Sequence, residues 1–135
     1  MKDIQKLLVP KAFKFDTGLV TKSNPEIYNV SYDLWTLTIT LGFDDVNGPV
    51  YVIFKNVIGF RVLDEGDLLE FWNDDVRVPG WIWKIESGGW FELEKLRTGF
   101  LTQHHKESHD EFLVSGMNDC VSIIAESEPV ILRSE

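Results

Sequence analysis

The chain has one cysteine, Cys120, in 135 residues, which excludes an internal disulfide framework. Basic residues are scarce too. Thirteen Lys and Arg stand against 22 Asp and Glu, a formal net charge of −9. A direct nucleic-acid partner needs a basic footprint to neutralise phosphates, so the balance argues against one. An anionic membrane surface is disfavoured for the same reason. No stretch approaches the roughly 18 apolar residues of a membrane span. The start, Met1 to Pro10, has only three consecutive apolar residues, Leu7-Leu8-Val9, where a secretory signal needs about 7–15. A soluble cytoplasmic protein is the expectation. Catalytic fingerprints are absent as well. There is no G-x-S-x-G, no phosphate-binding G-x-x-x-x-G-K and no G-x-G-x-x-G, so we expect no enzyme and no cofactor.

What is present is ordinary globular material. Hydrophobic residues make up 44% of the chain, too many for disorder. The length suits one domain, 1–135, with no internal repeat or linker. Charge is uneven along it. Residues 1–22 carry a net +3, leaving −12 on the rest, so the start reads as a basic peripheral segment on an acidic body.

The clearest periodicity runs from Tyr32 to Gly42. Trp35, Leu37, Ile39 and Leu41 alternate with Thr36, Thr38 and Thr40, the period of a strand with one buried face. Asn47-Gly48 supplies turn chemistry, and an apolar run follows from Val50 to Leu63, with Gly59 as a possible bulge. Residues 31–63 therefore read as one long antiparallel hairpin. Segment 64–75 reads as helical, with Asp64 or Asp67 as cap and Leu68, Phe71 and Trp72 on one face. Trp81, Trp83 and Ile85 mark a strand. Trp90 to Leu96 suits either a short helix or a strand. Glu111–Val114 and Cys120–Ala125 flank a hairpin loop, and Val130–Leu132 forms a last strand. The fold expectation is α+β, mainly antiparallel β, with about six strands in a curled sheet or sandwich and one or two short helices.

The strongest local anomaly is chemical. Asp64, Glu65, Asp67, Glu70, Asp74 and Asp75 put six acids in twelve residues with no base among them. A solvated helix face with capping acids explains this. So does a functional surface, because close like charges repel. The spacing does not match a calcium-binding EF-hand loop. His104, His105 and His109 form an HHxxxH cluster, but no apolar stripe pins a helix there and no Glu sits in the HExxH position, so a polar loop is expected rather than a metal site. Cys120 opens an apolar strand and reads as a small core residue. The pairs Asp44/Asp45 and Asp74/Asp75 do not converge on one atom if they lie on strands. Of five tryptophans, Trp35 and Trp72 are expected in the core. Trp81 and Trp83 suit either the core or an exposed platform.

An acidic chain without catalytic motifs fits an inhibitor of a basic protein, with opposed fields speeding encounter. In its overall profile, and in stretches such as Phe60-Arg61-Val62-Leu63-Asp64-Glu65-Gly66-Asp67-Leu68-Leu69 and Phe112-Leu113-Val114 to Pro129-Val130-Ile131, the chain resembles the small acidic bacterial immunity proteins of toxin–immunity systems, including those of contact-dependent growth inhibition. The resemblance implies a tight complex with one cognate toxin domain, often a nuclease, and carries no residue roles across. On this reading the partner surface is Asp64, Glu65, Asp67, Glu70, Asp74 and Asp75, with Asp44 and Asp45 at the hairpin tip and Trp72 or Trp81 as an exposed anchor. The alternative is a small-ligand or carbohydrate-binding module built on Trp81, Trp83 and Trp90.

Overall fold

The computed structural model describes residues 11–15, 17–19, 21, 23–64, 80–96 and 109–133. Nine strands and one short helix are described: β1 Lys11–Lys14, β2 Glu26–Asp33, β3 Thr36–Gly42, β4 Val50–Phe54, β5 Val57–Asp64, β6 Ile82–Ser87, α1 Trp90–Glu94, β7 Asp110–Ser115, β8 Asp119–Ala125 and β9 Val130–Arg133. The expected class, mainly antiparallel β with a small helical element, is the observed one, with more strands than the six anticipated. The strands form two sheets, β1-β6-β7-β8-β5 and β2-β3-β4-β9, and every described pairing is antiparallel. Among the described residues no helix is long and apolar enough to cross a membrane.

The core lies between the sheets. Leu37, Ile39 and Leu41 of β3 and Val50, Val52 and Phe54 of β4 face Phe112 and Val114 of β7 and Val121, Ile123 and Ala125 of β8. Phe112 is its hub, 5.3 Å from the Phe54 ring and edge-on to Phe15 at 6.0 Å. Burying one such side chain contributes about 1.5–3 kcal/mol. The five-stranded sheet also buries its other face, where Trp83, Ile85, Leu113 and Cys120 cluster with Ala12 and Leu63. Strands covered on both sides lose the alternation of a half-buried strand. That is why Glu111–Val114 and Cys120–Ala125 read as unbroken apolar runs. The four-stranded sheet keeps the alternating pattern, with Thr36, Thr38 and Thr40 on the side away from the core.

The long hairpin expected over 31–63 is corrected in two places. The alternation does continue back to Trp35, but the chain turns at Leu34-Trp35, so β2 and β3 are separate strands. Trp35 is therefore 60% exposed instead of lying in the core. The second arm breaks at Lys55-Asn56, where Asn56 adopts φ 56°, a left-handed conformation that Asn tolerates. This corner passes the chain from β4 in one sheet to β5 in the other. The central turn, between Leu41 and its register partner Val50, is as expected, and the register shift at Val57/Gly59 is the anticipated bulge. Trp90–Glu94 resolves as helix, and β7–β8 form the expected hairpin.

Candidate functional site

Two places on the molecule are not explained by folding alone. The first is the β2–β3 turn. Leu34 and Trp35 take φ 27° and 78°, the left-handed backbone of a tight hairpin that normally selects Asn-Gly. Bulky side chains there cost about 1–2 kcal/mol each. Both nonetheless project outward, Leu34 75% and Trp35 60% exposed. The turn is held from behind by the Val57 N–H, which donates to the Trp35 carbonyl at 3.0 Å. Beyond it lies the solvent side of the four-stranded sheet. Register places Ser31, Thr38, Ile53 and Val130 in one row and Asn29, Thr40, Tyr51 and Leu132 in the next. These two rows contain no charged residue, in a chain where 26% of residues are charged. Val130 and Leu132 are exposed on it. At its far end the Tyr28 ring lies over Gly42, where any side chain would collide with it.

The second place surrounds α1. Glu111 on β7 is buried, 2% exposed, and its two carboxylate oxygens accept the Trp90 N–H at 3.1 Å and the Phe91 N–H at 2.8 Å. Gly89, the residue before the helix, has no side chain to cap it. A Cβ there would strike both Glu111 oxygens, so the glycine lets a distant carboxylate serve as the cap. Burial pushes the Glu111 carboxyl from its ordinary 4.5 up to about 7, against the pull of the two N–H donors and Arg61. The Trp90 ring lies against the bulge residue Gly59, with the Arg61 guanidinium 5.2 Å from its centroid, and its indole N–H donates to Glu94 at 3.0 Å. Beside α1, the ends of β1, β6 and β7 enclose a cavity of about 360 Å³. A buried carboxyl titrating near neutrality beside a cavity is the usual mark of an acid–base site. Here each of its oxygens accepts one backbone N–H at the start of α1, so the carboxylate caps the helix.

The residues expected from the sequence fall unevenly on this frame. Asp64 ends β5, exposed and in register with Asp119, and the helix expected over 64–75 otherwise lies outside the described residues. Glu65, Asp67, Glu70, Asp74, Asp75 and Trp72 lie outside the described residues, as do His104 and His105. Asp44 and Asp45 are exposed in the turn after β3. Asp45 is engaged locally, accepting the Thr21 hydroxyl at 2.5 Å and the Ser23 hydroxyl at 2.7 Å. Trp81 is the clear correction. It is 5% exposed, edge-on to Phe43 at 5.2 Å, because it precedes β6, where the chain bends and turns the indole into the space between the sheets. It cannot anchor a partner. Trp83 is buried on the other side of the same sheet, and Trp90 is occupied as described, so the proposed tryptophan platform does not exist. Cys120 is buried in the apolar cluster, as expected. His109 borders the cavity, with Nε2 3.6 Å from Glu126 and its ring edge-on to Phe91.

Comparison of the chain with protein-family models, curated proteins and solved structures gives no match. Sequence reasoning missed the Leu34-Trp35 tip, whose signal was the inversion of the alternation at Asp33-Leu34. It also missed Glu111, whose role depends on a helix 20 residues earlier in the chain.

Proposed function

We propose that this chain is a non-catalytic binding protein that neutralises a basic protein partner, as its resemblance to bacterial immunity proteins implies. The observation that carries the reading is the β2–β3 turn. Two bulky apolar residues occupy strained backbone positions and present themselves to solvent, an arrangement that weakens the fold and is best accounted for by a partner. Beside them lie two uncharged rows on the outer face of the four-stranded sheet. Around both lies an acidic molecule of net charge −9. An apolar anchor with a charged surround matches the division of labour in protein interfaces, where a few buried aromatics hold the complex and charges steer its formation.

The test begins with the C-terminal domain of the protein encoded immediately upstream, co-expressed with this chain. Rescue from its toxicity and co-purification of a stable complex are expected. Trp35→Ser should then weaken that complex by about 30-fold, the scale of a tryptophan hot spot, while leaving the fold intact by circular dichroism. Failure to bind the neighbouring product, or unchanged affinity in the variant, overturns the reading.

A further inference from the structure

The cavity beside α1 has its own chemistry, separate from the β2–β3 turn. One wall is the Phe91 ring, and Phe13, 61% exposed on the edge strand β1, forms the rim. The floor is Ile85 and Glu111. Four carboxylate residues line it against two lysines. One of those lysines, Lys84, is paired with Asp110 at 3.5 Å. The other, Lys95, lies with its ammonium 4.4 Å from the centroid of the Phe91 ring. The Phe91 ring thus already carries a cation, supplied by the chain's own lysine four residues on, in a cavity that Glu86 and Glu92 also line. A ring face attracts ammonium and guanidinium groups by its quadrupole, and more strongly as water is excluded. A volume of about 360 Å³ sits at the small end of ligand pockets, enough for a short amine or the end of a basic side chain.

We propose that this cavity is a binding site for an alkylammonium or guanidinium group, with Phe91 as its aromatic wall, Glu86 and Glu92 as its counter-charges, and Lys95 as the internal occupant that the ligand displaces. The cation is either a free small amine or a Lys or Arg side chain of a protein partner. The site does not rest on the neutralising role proposed above.

The probe is agmatine, which carries both groups, titrated into the isolated chain and followed by the NMR shifts of Phe91 and His109. Saturable shifts in the millimolar range are expected, with none from succinate at the same ionic strength. Phe91→Leu should weaken binding about 5-fold, the scale of one cation–ring contact. Lys95→Gln is the sharper variant. Vacating the ring should strengthen agmatine binding about 5-fold, a gain that damage to the fold would not produce. No saturable shift, preferential binding of succinate, or weaker binding in Lys95→Gln overturns the proposal. Titrating the peptides Ala-Lys-Ala and Ala-Arg-Ala in place of agmatine then separates the two sources: tighter binding of a peptide assigns the cavity to a protein side chain, and tighter binding of agmatine assigns it to a free amine.

Discussion

Glu111 shows what one residue does when a strand and a helix must share it. Its carboxylate serves as the cap of α1 from β7, and burial raises it to about 7. An acid whose folded pKa lies above its unfolded value keeps its proton longer in the native state. Its contribution to stability is therefore fully present below about 4.5 and is lost as pH rises toward 7. The whole difference amounts to about 3 kcal/mol. Glu111→Gln removes the titration while retaining one acceptor oxygen. Urea unfolding of both proteins from pH 5 to pH 8 should show wild type losing about 2.5 kcal/mol relative to the variant. Parallel curves would mean that the carboxyl titrates normally and that its burial is incomplete in solution.

At the scale of elements, folding and the proposed function separate most cleanly at the β2–β3 turn. Replacing Leu34-Trp35 by Asn-Gly gives the left-handed backbone the residues that adopt it without strain. The variant should gain about 2 kcal/mol of stability, read as a raised Tm, and lose the partner. A variant that is no more stable would show that the turn is not strained. One that still binds would place the contact elsewhere. The same turn shows what could be read in advance. The Thr/apolar alternation of β3 was legible because one face of that sheet meets solvent. Alternation alone did not mark where the strand began, since Trp35 kept the period while sitting in a turn of unsuitable residues. The break at Lys55-Asn56 had a weak signal, a polar pair with αL-tolerant Asn inside an apolar run. In the sheet covered on both faces the period vanishes, so Trp81 and Trp83 could not be assigned to a side by counting. Glu111, Gly89 and Gly59 act together only because β5, β7 and α1 meet, and no local pattern announces such a meeting.

For the whole molecule, two parts of the proposed function act at different steps of binding. Net charge acts at a distance: a field from −9 raises the encounter rate with a basic partner and is screened by salt. The apolar turn acts only after contact, when water leaves it. Reversing Asp64, Asp67 and Glu70 to Lys changes the net charge by +6 and should slow association and flatten its dependence on ionic strength, with little change in dissociation. Trp35→Ser should do the opposite, hastening dissociation while association and its salt dependence stay as in wild type. Stopped-flow association at several salt concentrations, paired with dissociation by displacement, reads both. If the triple reversal instead hastened dissociation by as much as Trp35→Ser, the acids would belong to the buried contact and not to the steering field. The docking centre would then shift from the β2–β3 turn toward the end of β5, where Asp64 stands.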